Sequence, residues 1–267
     1  MADMEIDGGR PYALVTGASS GIGLELARQF VDNGFDVLLV AEDTGVSSAA
    51  VGLDGAGRAE ALQADLREPV DVERVWAHVV ATGRPLAAAA LNAGVGNAGA
   101  FVDTALDADL EVIALNVTST VHLAKRVLAD MVARGVGRVL FTSSVAATMP
   151  GPYYATYAAS KAFVQSFAEA VRREVAGAGV TVTALMPGPT DTAFFDRAGM
   201  DGSKADEGHK DDPAEVARDG FEALMAGKDH VVAGSTRNRL QTGVAKVLPE
   251  KATAVVHGAQ AKPADTE

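Results

Sequence analysis

The sequence predicts an α/β fold in which one domain is built on a doubly wound, mostly parallel sheet of the Rossmann type. Short apolar runs of strand length alternate with helical patterns along most of the chain, and several runs are apolar throughout, as strands buried on both faces of a sheet are. The first run also ends in a glycine-rich turn that opens a helix. At 267 residues the chain is long enough for one such domain, which we expect over residues 12–234.

Strand and helix patterns follow each other in a regular order. We predict strands over 12–16, 37–41, 61–64, 86–91, 139–142, 180–186 and 230–233, and helices over 24–31, 70–80, 106–134, 156–175 and 213–226. The weaker stretch 47–58 predicts a short helix and a turn. Residues 193–212 are rich in Gly, Asp and Lys, and we assign them as a substrate loop because long loops in compact domains are typically lids or binding loops.

Two extensions flank the predicted domain. The N-terminal one covers 1–11, and the C-terminal one covers 235–267 and ends in a polar stretch that we expect to be disordered. Apolar residues between 240 and 248 are spaced for one face of a short helix. Packing on its own domain is the favoured role for that helix, and a dimer contact or a membrane-surface contact is the alternative.

Composition and charge exclude several classes of function. The formal net charge of -12 argues against a nucleic-acid footprint and against docking on an anionic membrane, which both need clustered Lys and Arg. The chain has no Cys and its His residues are scattered without ligand spacing, so we assign no metal site. An acidic start without a secretory-signal pattern, and no apolar run of about 20 residues, predict a cytoplasmic protein that acts on a small molecule.

Tyr157 and Lys161 lie four residues apart where a Pro/Gly-rich segment gives way to a long helical pattern. Residues at this spacing share a helix face, so the phenol and the ammonium can enter one pocket. A nearby ammonium favours the phenolate, and we expect it to lower the pKa of Tyr157 toward the range of a proton-transfer catalyst. Taken alone, the pair is better explained by packing and a solvated charge.

A second candidate site is the turn Thr-Gly-Ala-Ser-Ser-Gly-Ile-Gly over residues 16–23, between the first predicted strand and helix. In this position, backbone amides and the helix N-terminus can approach a pyrophosphate. Glycines in such a turn are also required simply where the backbone needs positive φ. The position after the first strand of a βαβ series favours phosphate binding.

These motifs occur in a fixed order with several others. They are the turn over 16–23, Asn92-Ala93-Gly94, Asn116, Ser144, Tyr157 with Lys161, and Pro187-Gly188 with Thr192. Together they resemble the short-chain dehydrogenase/reductase family in its classical size class, over about residues 12–192. Each motif by itself has a structural explanation, such as a cap or a buried amide, but the ordered set favours the resemblance.

The resemblance implies a catalytic role for four side chains. Tyr157 would be the acid/base, exchanging a proton with the substrate oxygen while hydride moves to or from a nicotinamide. Lys161 would lower the pKa of Tyr157 and hydrogen-bond the nicotinamide ribose. Ser144 would hold and polarise the substrate oxygen, and Asn116 would anchor a water that relays protons from Lys161 to solvent.

The resemblance also implies a dinucleotide site. Its cofactor-binding residues would be Gly17, Ser19, Ser20, Gly21, Ile22, Gly23, Glu42, Asp65, Leu66, Asn92, Ala93, Gly94, Tyr157, Lys161, Pro187, Gly188, Thr190 and Thr192. A free ribose 2′-hydroxyl suits a carboxylate at the end of the second strand, whereas a 2′-phosphate calls for Arg or Lys. Glu42 stands where NADP-using relatives tend to carry Arg, so we expect NAD, although the family's usual NAD acid would fall at Ala41 and NADP stays open.

The substrate side is predicted from apolar residues around the catalytic pair. The candidates are Val95, Val145, Ala146, Pro150, Tyr153, Tyr154, Phe194, Phe195 and Met200. They favour a small, largely apolar secondary alcohol or ketone, although Phe194 and Phe195 are equally explained as anchors of the loop.

We expect a homodimer or homotetramer, and the basic C-terminal segment departs from the ending of many tetrameric relatives.

The leading hypothesis is therefore an NAD-linked oxidoreductase that interconverts a hydroxyl and a carbonyl. An NADPH-preferring carbonyl reductase is the first alternative. The second is a dinucleotide-binding sensor or scaffold without catalysis, since a fold alone does not prove a function. The four implied catalytic residues speak against that second alternative, because a protein that only binds needs no proton relay.

Overall fold

A parallel sheet runs through the centre of the computed structural model, which describes residues 9–199 and 209–235. Its strands are β1 (Tyr12–Thr16), β2 (Asp36–Ala41), β3 (Ala59–Gln63), β4 (Leu86–Leu91), β5 (Gly137–Thr142), β6 (Val180–Met186) and β7 (His230–Val232). In this part of the chain the strand order is β3-β2-β1-β4-β5-β6-β7, and every neighbouring pair is parallel.

Helices connect the strands and cover both faces of the sheet. They are α1 (Gly21–Asp32), α2 (Gly45–Val51), α3 (Pro69–Ala81), α4 (Leu106–Ile113), α5 (Thr120–Arg134), α6 (Ala155–Val175), α7 (Phe194–Arg197) and α8 (Pro213–Met225). A π-helical segment, Ala114–Ser119, joins α4 to α5, and 3-10 turns lie at Val145–Thr148 and Ala176–Ala178. The single-domain Rossmann-type fold predicted from the sequence is confirmed.

The core forms two layers because successive strand side chains point to opposite faces. In β1, Tyr12 and Leu14 pack with residues of α3, α5 and α6, whereas Ala13 and Val15 pack with α1 and α8. On the second face, the rings of Phe30 and Phe221 meet edge to face at 5.1 Å between centroids and hold α8 against α1. Both faces of the central strands are therefore buried, as their continuous apolar sequences predict.

Three elements differ from the prediction. β3 covers Ala59–Gln63 rather than 61–64, because this edge strand is half exposed and its alternating sequence gives no continuous apolar run. The helix predicted over 106–134 contains the π-helical segment, and the substrate loop contains the short helix α7. The predicted helix around 240–248 and most of both extensions lie outside the described residues.

The sheet places a cleft beside the carboxyl end of β1. This strand pairs with β2 on one side and with β4 on the other, so the chain changes its direction of winding there. In open parallel sheets the loops diverge at such a point and leave a crevice outside the strand ends. The predicted motifs follow the strands that border this crevice.

Candidate active site

A cavity of about 530 Å³ lies at the carboxyl edge of the sheet. Its lining includes all the predicted dinucleotide-binding residues and three of the four predicted catalytic residues, namely Gly17, Ser19, Ser20, Gly21, Ile22, Gly23, Glu42, Asp65, Leu66, Asn92, Ala93, Gly94, Ser144, Tyr157, Lys161, Pro187, Gly188, Thr190 and Thr192. Asn116 is not in the lining and lies behind it. The fold thus brings together residues that the sequence spreads over about 175 positions.

The turn after β1 needs glycine at Gly17, where φ is +66°, and at Gly23. A Cβ on Gly23 would lie 2.0 Å from the carbonyl oxygen of Gly17, and one on Gly17 would lie 2.9 Å from the Cα of Ala93. The Oγ1 of Thr16 accepts hydrogen bonds from the backbone N–H groups of Asn92 and Ala93, both at 3.0 Å. The turn therefore lies directly on the end of β4.

This turn leads into the N-terminus of α1, where backbone N–H groups point outward from the helix. Ser20 at the N-cap makes no side-chain capping bond within the described structure, and the first turn carries no acidic residue. The partial positive charge of the helix end is then available for an anion. The residues present fit a pyrophosphate at this position.

The three catalytic candidates in the cavity come from the ends of two elements. Ser144 follows β5, and its Oγ accepts a hydrogen bond from the N–H of Ala146 at 3.1 Å and is hydrogen-bonded to Tyr157. Tyr157 and Lys161 share one face of α6, as predicted. The Nζ of Lys161 donates to the carbonyl oxygen of Thr142 at 2.9 Å and lies 5.9 Å from the centre of the Tyr157 ring.

Burial decides the protonation of this pair. It raises the pKa of Tyr157 to about 12, against a smaller lowering by the hydrogen bond with Ser144. It also lowers the pKa of Lys161 to about 8. The expected net lowering of the Tyr157 pKa is therefore wrong for this structure, because the Lys161 ammonium donates to the Thr142 carbonyl and desolvation of the phenol is the larger effect.

Asn116 connects α6 to the loop after β4. Its side chain accepts from the N–H of Val95 and donates to the carbonyl of Val95, both at 2.9 Å, and its Nδ2 also donates to Ser160 at 2.9 Å. Gly94 lies beside it, and a Cβ there would be 3.1 Å from the Nζ of Lys161 and 3.2 Å from the Oδ1 of Asn116. Asn116 and Lys161 therefore both lie close to Gly94.

The adenosine end of the predicted site is acidic. Glu42 forms an ion pair with Arg67, which also binds Asp65 through two hydrogen bonds of its Nε at 2.9 and 3.1 Å. These contacts hold the pKa of Asp65 below its usual range. Sequence analysis missed Arg67, although its position two residues after Asp65 was a usable signal. Asp43, beside Glu42, accepts from Ser19 at 2.7 Å.

The substrate side of the cavity is mostly as predicted. Its lining includes Val95, Val145, Ala146, Tyr154, Phe194 and Phe195. Pro150 and Tyr153 are not among the described lining residues. Pro150 is exposed, and the backbone at Tyr153 takes a φ of +69° in the turn before α6. Met200 lies outside the described residues. Arg197 and His209, which sequence analysis did not name, add polar groups to the lining.

Two further classes of site find no support in the described residues. Within 9–199 and 209–235, no group of three or more His, Asp or Glu residues is placed to hold a metal ion. Among the helices that the structure describes, none is long and apolar enough to cross a membrane.

Comparison with known proteins agrees with the geometry. The family model described as short chain dehydrogenase matches residues 11–201. A Drosophila melanogaster protein named dehydrogenase/reductase SDR family protein 7-like is 35% identical over 181 residues, covering 66% of this chain and 56% of that protein. The oxidoreductase UcpA of Salmonella typhimurium is 33% identical over 215 residues, covering 79% of each.

A solved structure resembles nearly the whole chain. It is a short-chain dehydrogenase from Sphingobium yanoikuyae in complex with NADPH, with 28% sequence identity and a TM-score of 0.78. The superposition covers 96% of this chain and 99% of that one. The likeness therefore includes the sheet edge that carries the cavity.

Replacing Gly23 by Ala tests the close packing of the turn. The new methyl would overlap the carbonyl oxygen of Gly17, so the turn must move, and we expect the free energy of unfolding to fall by about 2 kcal/mol or more. Binding of NADH and NADPH, followed by nicotinamide fluorescence, should be lost. Gly177→Ala is the matched control, because a Cβ there meets nothing within 4 Å. Equal stability and binding in the two variants would contradict this account of the turn.

Proposed function

Because the chain belongs to the short-chain dehydrogenase family, we propose that it is an oxidoreductase that interconverts a hydroxyl and a carbonyl with a nicotinamide cofactor, Tyr157 being the acid/base. The observation that carries the proposal is the meeting of Ser144, Tyr157 and Lys161 in the cavity that also holds the glycine turn. The glycine turn fits a pyrophosphate, and the hydroxyls of Ser144 and Tyr157 could together hold a substrate oxygen. The chain covers about half of the Drosophila relative, 56% of its length, so that protein's name does not define the reaction.

In the direction of reduction, the phenol of Tyr157 donates its proton to the substrate oxygen while Ser144 holds that oxygen by a hydrogen bond. The cofactor supplies the hydride when it is bound. The phenolate that results is stabilised by the Lys161 ammonium in a site of low dielectric. In this proposal, a water held near Asn116 and Lys161, which both lie close to Gly94, returns the proton.

The substrate that we propose is a small, largely apolar secondary alcohol or ketone. Phe194 lies 5.2 Å from Tyr157 between ring centres, and Val145 and Ala146 also line the cavity near the reacting hydroxyls. Apolar surface at this point favours hydrocarbon groups on both sides of the carbonyl. Short hydrophilic polyols as the best substrates would contradict this proposal.

We propose NAD as the preferred cofactor. Glu42 and Asp43 follow β2, where an adenosine ribose would bind, and a carboxylate accepts from a 2′-hydroxyl but repels a 2′-phosphate. Arg67 does not offset this, because its guanidinium is bound to Glu42 and Asp65. The NADPH held by the Sphingobium relative keeps an NADPH-preferring reductase as the alternative.

Self-association stays a prediction, as does a cytoplasmic location. Leu106, Leu110 and Ile113 expose large apolar side chains along α4, which is compatible with a second copy packing there.

The Tyr157→Phe variant tests the proposed reaction. It removes the proton donor and keeps the ring, so we expect kcat for ketone reduction to fall by about 1,000-fold or more with NADH binding unchanged. Tyr12→Phe is the matched control, since it removes a buried hydroxyl bonded to Glu60 far from the cavity. Turnover retained by Tyr157→Phe would refute the acid/base role. Cofactor binding without turnover in the wild type would favour the non-catalytic alternative.

Glu42→Arg tests the cofactor assignment. The introduced guanidinium would then face the ribose, and Arg67 would lose one of its carboxylate partners while keeping Asp65. The ratio of NADPH to NADH affinity should therefore rise by about tenfold or more, as measured by fluorescence titration with each cofactor. Glu25→Arg makes the same charge change at a residue of α1 whose ion pair is with Arg28, and it should leave the ratio unchanged. An unaltered ratio in Glu42→Arg would rule out Glu42 as the determinant.

The rate of ketone reduction should fall as the pH rises through about 8, because the Lys161 ammonium loses its proton there. Tyr157, whose pKa is raised to about 12, stays protonated over the same range. Unfolding does not explain such a fall. The depressed pKa of Lys161 means that the unfolded chain binds more protons above pH 8, so this group makes stability rise with pH. A kcat/KM profile that stays flat well above pH 8 would contradict the role of Lys161.

A further inference from the structure

Asp109 is a buried carboxylate outside the cavity, with 7% of its surface exposed. Three donors converge on it. Its Oδ1 accepts from the Nδ2 of Asn97 at 2.7 Å and from the hydroxyl of Thr156, and its Oδ2 accepts from the hydroxyl of Thr104 at 2.8 Å. The bonds from Thr156 and Asn97 hold its pKa below the usual range, so it is charged at neutral pH. Burying a charge is costly, so the position of this carboxylate calls for a specific role.

One side of this cluster belongs to the loop after β4, residues 95–104. This loop supports the substrate side of the cavity. A Cβ on Gly96 would lie 2.7 Å from the ring of Phe194 and 3.3 Å from the Cβ of Ala198, so the loop backbone packs directly against α7. The N–H of Gly99 donates to the carbonyl of Tyr153 at 2.7 Å. Asn97 and Thr104 therefore connect Asp109 to the wall that a substrate would meet.

The other side belongs to the catalytic helix. Thr156 directly precedes Tyr157 in the first turn of α6, and Tyr154 at the N-cap makes no side-chain capping bond within the described structure. Asn116 holds the same helix through Ser160, whose hydroxyl donates to the carbonyl of Tyr157 at 2.7 Å. The contacts of Asp109 and Asn116 with α6 thus lie on either side of Tyr157.

We propose that Asp109 is a positioning residue that fixes Tyr157 against the substrate-side loop, holding the first turn of α6 through Thr156 and the loop through Thr104 and Asn97. This inference rests on the proposed function for its kinetic consequence, but the tether itself is independent of it. The hydrogen bonds from Thr156 and from Thr104 to Asp109 hold different groups, so their effects can be separated. Losing the bond from Thr156 displaces the proton donor Tyr157, whereas losing the bond from Thr104 loosens the loop that borders the substrate.

Two isosteric variants, Thr156→Val and Thr104→Val, each remove one hydroxyl donor to the same carboxylate. Thr156→Val should lower kcat for ketone reduction about tenfold with KM within about twofold. Thr104→Val should raise KM by about threefold or more with kcat little changed. Thr156→Ser keeps the hydroxyl and should restore kcat. Thr82→Val, which removes the hydroxyl bond to Val79 at the end of α3, is the control for the substitution itself.

If Asp109 only stabilised the fold, Thr156→Val and Thr104→Val would both lower the thermal stability and leave kcat and KM unchanged. That outcome, or failure of Thr156→Ser to restore kcat, would overturn the proposal. Amide hydrogen exchange gives a readout that needs no turnover. Exchange in residues 155–160 should accelerate in Thr156→Val and not in Thr104→Val. A wild type without turnover would refute the proposed function. The exchange data would still test whether Asp109 holds the first turn of α6, because equal exchange in the two variants would refute that role.

Discussion

The contact between the turn after β1 and the end of β4 is the constraint on which the cavity depends. Backbone approaches backbone so closely there that neither Gly17 nor Gly23 has room for a Cβ. Thr16 and Asn92 fasten the two segments by reciprocal hydrogen bonds, since the Nδ2 of Asn92 also donates to the carbonyl of Thr16 at 3.1 Å. This contact sets the floor of the cleft, and it leaves the N-terminus of α1 facing the space where a pyrophosphate fits. The same segment continues through Gly94 toward Lys161, so the proposed dinucleotide end and the proposed catalytic end of the cavity share one support.

Sequence patterns predicted the elements best where the burial pattern is continuous. The limits of β4 and β6 agree with the prediction because β4 is apolar throughout, β6 alternates and then ends in an apolar run, and they are followed by Asn92 and Pro187. The predicted limits of β3 were wrong, because an edge strand with half-exposed side chains has no continuous apolar run to mark where it begins and ends. The π-helical segment around Asn116 also escaped prediction. A π-helical turn holds about one residue more than an α-helical turn, and this shifts the spacing of apolar residues too little to be detected in the sequence of one helix.

Most of the cavity lining was predicted, whereas the groups that hold it were not. Motif residues follow strand ends, and the topology alone brings strand ends together. Arg67 and Asp109 act through partners that are 25 and 47 residues away, and pairing at such separations is decided by tertiary packing. A signal for Asp109 did exist. It stands three residues before Val112 and seven before Asn116, on one face of the helix, which places a carboxylate among buried positions.

The protonation of Tyr157 and Lys161 also could not be predicted from the sequence alone. Spacing on α6 correctly placed Tyr157 and Lys161 on one face, and Coulomb's law alone then predicts a lowered phenol pKa. The structure adds desolvation, which acts on both groups and drives both toward their neutral forms. Burial lowers the pKa of Lys161 to about 8, and its ammonium donates a hydrogen bond to the Thr142 carbonyl. The raised pKa therefore keeps the phenol of Tyr157 protonated at neutral pH, which is the form that the proposed proton transfer to a carbonyl oxygen requires.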